Sequence, residues 1–396
     1  MFFRCLVFAA LALFARQAQS ATVLVLQFHN SSQFSDLNWV GESASETLRG
    51  EFSNANQIVF DRDSLAEAIR RLSLRPGANF TKATLIRLGQ ALGADYICYG
   101  SYDATLPPGD TQLKNSSIQL TAHYLDLRKL HEGPDLSEAG KLSDLSRLEE
   151  HLAWQSLKYL DPGSNLPVED FLSPKKFTRL DAEESYIRGL LSSNKEQQQK
   201  WFLQAVVLDP KFISPAFELG KLFLQRKDYR QALQWLGRIP ASDSRYADAR
   251  FKMGLGAYAL GDYNASAGFF RDVLKQFPMN EVYNNLGAAE SQLNMPAAAD
   301  DFKHALDGDP NDPVYLFNLG AALLHANSFD QAAKRLQAVV DRDADDHEAQ
   351  TLLDRAHSRQ SADSGSKPLV PPRLKSNFDE TAFRQLKAML QPKRNS

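Results

Sequence analysis

The strongest candidate for metal chemistry in the sequence is a run of alternating aspartates. Asp341, Asp343 and Asp345 have the spacing with which a calcium-binding loop begins, and Ca²⁺ prefers oxygen ligands. The pattern then fails, because Asp346 stands where the sharp turn requires glycine and Leu352 stands where the bidentate glutamate belongs. We therefore expect a solvated turn here and no metal site.

A thiol is the second candidate. Cys98 lies in an apolar, strand-like run over residues 96–99, and neither a histidine nor a cationic residue adjoins it in sequence. A reactive cysteine needs such a neighbour to stabilise its thiolate, whereas a cysteine in apolar surroundings packs as a small hydrophobic residue. We predict that Cys98 is buried and unreactive.

The other motifs that carry chemistry are missing from the sequence. Neither GxxxxGK[ST] nor GxGxxG occurs between a predicted strand and helix, and Gly254-Leu255-Gly256 falls inside a predicted helix. The eight histidines form no HExxH or Cys/His zinc spacing, and there is no GxSxG. We predict a protein that is not an enzyme and that uses no cofactor and no metal; a divergent enzyme is the least favoured alternative.

Charged side chains cluster around one predicted helical hairpin. Residues 181–184 are mostly acidic, and residues 195–200 include two lysines. We interpret this cluster as a solvated surface, and nothing in the sequence singles out a pair of carboxylates for catalysis.

Composition narrows the class of protein. The chain has 396 residues, enough for two or three domains, of which 43% are hydrophobic and 23% charged, as is ordinary for a globular protein. The formal net charge is −3, so no overall basic field would attract nucleic acid. We expect a multidomain protein with no nucleic-acid partner.

Residues 1–20 have the features of an export signal. Arg4 precedes an apolar run over residues 5–15, and the small residues Ala18 and Ser20 occupy the positions that a signal peptidase reads. The run is shorter than the roughly 20 apolar residues of a membrane span. We predict cleavage after Ser20, a periplasmic or otherwise extracytoplasmic location, and no transmembrane span in the mature chain. An uncleaved N-terminal anchor is the alternative.

A repeat of about 33 residues fills the second half of the chain. Its clearest landmark is a hydrophobic residue followed by glycine, which recurs at spacings of 34, 33 and 33 residues. The four landmarks are Leu219-Gly220, Met253-Gly254, Leu286-Gly287 and Leu319-Gly320. Aromatic, small and large apolar residues follow each glycine in a similar phase, which is typical of helical hairpins stacked side by side.

The repeat resembles the tetratricopeptide repeat, most clearly over residues 214–346. We predict an all-α solenoid over residues 181–359, with about five units and a final capping helix. In this family the first helix of each hairpin lines a concave groove that holds protein segments. By the family pattern, the groove-facing residues here are Phe217, Lys221, Leu224, Phe251, Leu255, Tyr258, Asn284, Ser291, Phe317 and Leu324.

These groove positions also indicate the kind of partner. Family members that clamp a C-terminal carboxylate carry lysine and asparagine at the first two groove-facing positions of each first helix, and here three of the four first groove-facing positions are phenylalanine. The resemblance therefore favours a protein or peptide segment that is apolar or bears aromatic residues, and argues against a carboxylate clamp. The alternative is that the aromatic residues pack between repeats and bind nothing.

Residues 21–165 are predicted to form a separate α/β domain with a mixed sheet. Apolar runs predict strands, and helical spacing of apolar residues predicts helices between them. The predicted strands are 22–28, 57–60, 96–106 and 117–127, and the predicted helices are 39–52, 65–72, 82–92 and 142–160.

Four short segments of this domain resemble the N-terminal domain of TolB and its relatives. They are residues 25–30, 36–42, 92–102 and 125–127. That domain also occurs beside tetratricopeptide repeats in bacterial envelope and signalling proteins. The resemblance implies a TolB-N-like fold and an interaction role, and it implies no catalytic activity.

The C-terminal tail is predicted to be a tether followed by a helix. Residues 360–377 are rich in Ser, Pro, Gly and Lys, which is typical of a flexible or extended linker. Residues 378–391 have apolar residues at helical spacing and form an amphipathic helix, with Ser376 as a candidate N-cap. We expect this helix to dock on its own solenoid first. The alternatives are a neighbouring copy, a partner, or no docking at all.

Together these features predict an exported, non-enzymatic scaffold or adaptor that binds proteins through the groove of the solenoid. The alternative is a sensory or regulatory envelope subunit whose α/β domain binds a small ligand or an envelope component. A sensory domain should contain a defined pocket, whereas an adaptor should present only surface patches. The sequence indicates no particular oligomeric state.

Overall fold

A computed structural model of the chain describes residues 21–75, 77–163, 166–173, 177–360 and 370–390, without the side chains of residues 380, 381, 384, 387 and 388. The predicted export signal lies outside the described residues. Within the described ranges, no helix has both the length and the apolar character needed to cross a bilayer.

The N-terminal domain is built on a mixed seven-stranded sheet. β1 pairs in parallel with β3 and with β4, whereas β4 and β5 form a long antiparallel hairpin that β6 and β7 extend. The short β2 adds to β4 in parallel. The strands are β1 (Thr22–Val25), β2 (His29–Asn30), β3 (Ile58–Val59), β4 (Tyr96–Thr105), β5 (Ser117–Asp126), β6 (His131–Glu132) and β7 (Leu136–Lys141).

Helices cover both faces of the central strands. Side chains alternate along β1 and the residue that follows it, so that Val23 and Val25 face one cluster while Leu24 and Leu26 face the other. The first cluster packs against α1 and α4, and the second against α2 and α3. The helices of this domain are α1 (Val40–Asn54), α2 (Arg62–Arg71), α3 (Lys82–Leu92), α4 (Leu145–Leu160) and α5 (Val168–Leu172).

Eleven consecutive helices follow, as five stacked antiparallel hairpins and a final single helix. Glycine at the repeat landmark lets the two helices of a hairpin approach closely: a Cβ at Gly254 would lie 2.6 Å from a ring carbon of Phe270. These helices are α6 (Leu180–Leu191), α7 (Lys195–Leu208), α8 (Ser214–Gln225), α9 (Tyr229–Leu236), α10 (Tyr246–Ala259), α11 (Tyr263–Leu274), α12 (Asn280–Gln292), α13 (Ala298–Gly308), α14 (Pro313–His325), α15 (Phe329–Val340) and α16 (His347–His357).

The α/β domain and the first helical hairpin share one hydrophobic core. Ile187 and Phe202 of the hairpin lie in the same cluster as Leu48 of α1 and Leu152 of α4. Polar contacts support this junction, including a hydrogen bond of 3.1 Å from the guanidinium of Arg188 to the carbonyl of Asp36. The two regions are therefore packed as a continuous body.

The charged cluster predicted at residues 181–184 is not uniformly solvated. Glu183 is buried at the domain junction, where Ser43 donates a hydrogen bond of 2.7 Å to its carboxylate, and it faces the equally buried Glu149. Thr47 donates to the other carboxylate over 2.7 Å. Burial, and then the repulsion between the two carboxylates, raises the pKa of Glu149 well above its usual range.

Candidate peptide-binding groove

The C-terminal tail lies in the concave groove of the solenoid. Residues 371–375 form an irregular segment without helix or turn, residues 376 and 377 bend, and a final helix, α17 (Glu380–Leu390), follows. The helix begins later than predicted, because Asp379 and not Ser376 caps it by accepting a hydrogen bond of 2.9 Å from the Ala382 N–H. The solenoid holds the predicted linker through Arg373 and Lys375.

Two asparagines hold the main chain of the tail. Asn318 donates to the carbonyl of Arg373 over 2.7 Å and accepts from its N–H over 2.8 Å. Asn285 pairs in the same way with Lys375, over 2.8 Å in each direction. Alternate residues of an extended chain present their backbone groups to the same side, so this two-residue spacing fits the geometry of the tail.

A third amide completes this network. Asn284 donates to the carbonyl of Arg373 over 2.9 Å and accepts from Asn318 over 2.8 Å. All three asparagine side chains are almost fully buried. A buried amide that lacks a hydrogen-bond partner destabilises the fold. The tail supplies partners to these three amides.

Arg373 occupies a subsite that combines aromatic and acidic groups. Its guanidinium lies 3.5 Å from the centre of the Phe317 ring and makes two hydrogen bonds of 2.7 Å to Asp346. Glu348 accepts a further bond of 2.9 Å. The hydrogen bonds from Arg373 hold the pKa of Asp346 below its usual value.

Lys375 and Phe378 occupy the next two subsites. The ammonium of Lys375 lies 2.5 Å from a carboxylate oxygen of Asp312 and 5.0 Å from the centre of the Tyr315 ring. Phe378 is buried, and its ring centre lies 4.3 Å from that of Phe251. The tail therefore runs from the last repeats back towards the α/β domain.

The predicted groove residues fall into distinct environments. Asn284, Phe251 and Phe317 contact the tail, and Leu255 packs against the same apolar cluster as Phe378. Leu324 is fully buried in the cluster at the end of the solenoid, against which Val370 and Leu374 of the tail also pack.

The other predicted positions make different contacts. Phe217 and Leu224 pack into a separate cluster near the start of the solenoid. The ammonium of Lys221 pairs with Glu218 at 3.1 Å, and Ser291 is half-buried on α12. Tyr258 is half-buried, with its ring centre 5.1 Å from that of Tyr263.

The sequence contains a signal for the two main-chain-binding asparagines that the family pattern missed. Asn285 and Asn318 each directly precede the Leu-Gly landmark and are 33 residues apart, so they occupy equivalent positions in successive repeats. The earlier repeats have glutamate and lysine at this position, Glu218 and Lys252. A polar amide repeated at the repeat period is therefore the pattern that indicates this site.

The remaining candidates for chemistry lie in the sheet and in a turn between two helices. Cys98 is fully buried in the sheet, and burial raises the pKa of its thiol to about 12. Asp341, Asp343 and Asp345 lie in an exposed turn between α15 and α16. Across the described part of the chain, no group of three or more His, Cys, Asp and Glu residues is arranged to hold a metal ion.

Two shallow clefts open on the α/β domain. One, of about 250 Å³, lies between this domain and α6 beside Trp39 and Arg188. The other, of about 500 Å³, follows the ends of β4, β5 and β7. Ligand pockets are typically enclosed, mostly apolar cavities of about 300–1,000 Å³, so these open clefts do not favour a small-ligand site.

Comparison with known proteins identifies the repeats. A tetratricopeptide repeat model matches residues 291–356, and a second such model matches residues 248–278. The predicted tetratricopeptide repeats are thus confirmed over these residues. No curated protein matches the chain.

Several solved structures resemble parts of the chain. YrrB, described as a TPR protein with an unusual peptide-binding site, is 16% identical over 43% of this chain and 91% of its own, with a TM-score of 0.39. PilF of Pseudomonas aeruginosa is 20% identical over 45% and 83%, with a TM-score of 0.38. The LpoB C-terminal domain of Salmonella enterica is 21% identical over 31% and 83%, with a TM-score of 0.26. Likenesses this weak carry no information about function.

Proposed function

We propose that this protein is a non-enzymatic scaffold that binds an extended segment of another protein in the groove of its solenoid. Tetratricopeptide repeat proteins are generally scaffolds for protein interaction. The observation that carries the proposal is the asparagine network, because Asn285 and Asn318 each pair with both the N–H and the carbonyl of one residue of the extended chain.

This arrangement supports peptide binding for a physical reason. Hydrogen bonds to the main chain fix the direction and register of an extended segment, while pockets for its side chains give specificity. The groove provides both kinds of contact, since Phe251 and Phe317 lie beside the asparagines and contact tail side chains. The part of the proposed groove that binds a partner is accordingly formed by α10, α12, α14 and the start of α16.

We extend the proposal to location and to the α/β domain. The features of residues 1–20 favour export to a periplasmic or other extracytoplasmic compartment. The segments that resemble the N-terminal domain of TolB, together with the mixed sheet covered by helices on both faces, favour a TolB-N-like domain that serves interaction. The open clefts of this domain favour an adaptor over a ligand-receiving subunit.

The test is cross-linked capture from an envelope extract with the full-length chain. The bait carries Arg373→Glu and Lys375→Glu, which place acidic groups beside Asp346 and Asp312 and so release the tail. A second bait adds Asn285→Ala and Asn318→Ala. We expect proteins captured by the first bait to be lost from the second, with circular dichroism unchanged.

A matched control separates the groove from general surface effects. Asn264→Ala removes an exposed amide on α11 and should leave capture unchanged. If the same proteins are captured with and without Asn285 and Asn318, the proposed use of the groove is wrong.

A further inference from the structure

Resting on the proposed function, we infer that the groove selects partner segments with the pattern Arg-x-Lys-x-x-Phe, and that residues 373–378 of the tail are an internal competitor for that site. The tail shows which side chains the groove accepts and in which register. The partner is therefore a basic segment with one aromatic residue that anchors it. This adds two basic side chains to the apolar or aromatic segment that the predicted groove residues favour.

The first position requires arginine. A planar guanidinium can stack on Phe317 at 3.5 Å while making two parallel hydrogen bonds to Asp346. Lysine offers a compact charge without this fork and cannot make both contacts at once. This subsite should therefore distinguish arginine from lysine.

The groove carries negative charge that a basic segment must neutralise. Asp312, Asp346 and Glu348 each pair with a cation of the tail, and Glu281 accepts a hydrogen bond of 2.9 Å from the Asp379 N–H. Without a cationic occupant these carboxylates would repel one another. An acidic or purely apolar segment would leave them without compensation, so charge complementarity favours a basic partner.

The aromatic anchor completes the register. In the tail, Phe378 lies three residues after Lys375. Its ring centre lies 4.3 Å from that of Phe251 in the groove and 4.8 Å from that of Phe383, which belongs to the tail's own helix α17. A buried aromatic side chain in a pocket is the usual energetic centre of an interface. The three subsites lie along consecutive repeats, so a single segment that bends before the aromatic residue can fill all of them.

The ion pairs that hold the tail are partly exposed to solvent, as expected for a segment that can be displaced. The side chains of Arg373 and Lys375 remain 26% exposed, so water can reach both ion pairs. A tethered segment competes at an effective concentration of about 1 mM, which a partner can overcome by affinity or by abundance.

The experiment uses a fluorescent peptide with the sequence of residues 370–379, VPPRLKSNFD, and measures anisotropy with full-length protein. The protein carrying Arg373→Glu and Lys375→Glu should bind the peptide, and wild type should bind it at least about tenfold more weakly, because its own tail competes. A second tail-release variant, Phe378→Ala with Arg373→Ala, should behave like the first and guards against misfolding of one variant.

Peptide variants then test the pattern. Replacing the peptide's arginine by lysine, or its phenylalanine by alanine, should weaken binding at least about tenfold, the effect of about 1.4 kcal/mol. Replacing its serine by alanine is the matched control, because Ser376 is exposed, and should change nothing.

Three results would overturn the inference: binding to neither tail-release variant, equal binding of a scrambled peptide, or equal binding to wild type and variants. If the peptide fails while capture from extract still depends on Asn285 and Asn318, the groove binds segments of different chemistry and the proposed function stands. If both experiments fail, the proposed function fails as well.

Discussion

Replacing Arg373 by alanine should undock the tail without unfolding the solenoid. The substitution removes a two-bond ion pair with Asp346, a hydrogen bond to Glu348 and a cation–π contact with Phe317. A hydrogen bond to a charged group contributes about 1.5–3 kcal/mol, and a cation–π contact contributes about 0.5–2 kcal/mol. Because the guanidinium is partly exposed, we expect a loss of about 2–4 kcal/mol in the free energy of docking.

Hydrogen exchange at a single amide measures this loss. The Lys375 N–H donates to Asn285, so it exchanges only when the tail opens. A loss of about 2–4 kcal/mol should accelerate its exchange by about 30- to 700-fold, or up to the rate of an unprotected amide. Amides in the core of the solenoid, such as that of Phe317, should keep their protection.

The control is Arg230→Ala, which removes an exposed guanidinium on α9 and should leave exchange at Lys375 unchanged. If Arg373→Ala leaves the Lys375 amide as protected as in wild type, the arginine subsite does not hold the tail. If the variant instead lowers the protection of the whole solenoid, the tail is an integral part of the fold and is not an exchangeable segment.

Three further predictions concern the folded body. Glu183→Gln should raise the free energy of unfolding by on the order of 1 kcal/mol at pH 7. Burial raises the pKa of Glu183 in the folded state, so the stability of the wild type falls as the pH rises above the usual carboxyl pKa. The gain in stability, measured by urea denaturation, should therefore shrink as the pH is lowered towards about 4. Gly254→Ala should cost about 1–3 kcal/mol by overpacking, since the new methyl would lie 2.6 Å from a ring carbon, whereas Gly268→Ala, with open space around it, should not destabilise. Cys98 should resist thiol reagents at pH 8 until the protein is unfolded, because its pKa is raised to about 12; rapid labelling of native protein would contradict its burial.

Much of the fold follows from local patterns in the sequence. The helix predicted over 82–92 matches α3, because Thr81 caps its start and Gly93 adopts a left-handed conformation at its end. The predicted hairpin of residues 96–106 and 117–127 matches β4 and β5 to within about a residue at each end, because both strands are long and apolar. The phase of the repeat landmarks likewise places the hairpins of the solenoid.

Elements that depend on tertiary contacts were not predictable in this way. β7 is half-exposed and has a polar sequence, so its place in the sheet comes from pairing with β5 and not from its own pattern. The burial of Glu183 depends on α1 and α4, which are distant in the sequence. Of the site, the family pattern predicts Phe251, Asn284 and Phe317, but the carboxylates that face Arg373 and Lys375 lie at helix starts outside that pattern.

Because the α/β domain and the first hairpin share one core, the two ends of the solenoid should differ in how easily they unfold. In a repeat array each unit is stabilised mainly by its neighbours, so unfolding usually begins at a terminal unit. Here the N-terminal end of the solenoid packs against the α/β domain, whose core includes Ile187 and Phe202. Denaturant should therefore remove the tail first and then the hairpins from α16 backwards, so that protease fragments formed during partial unfolding retain the N-terminal domain with the first repeats.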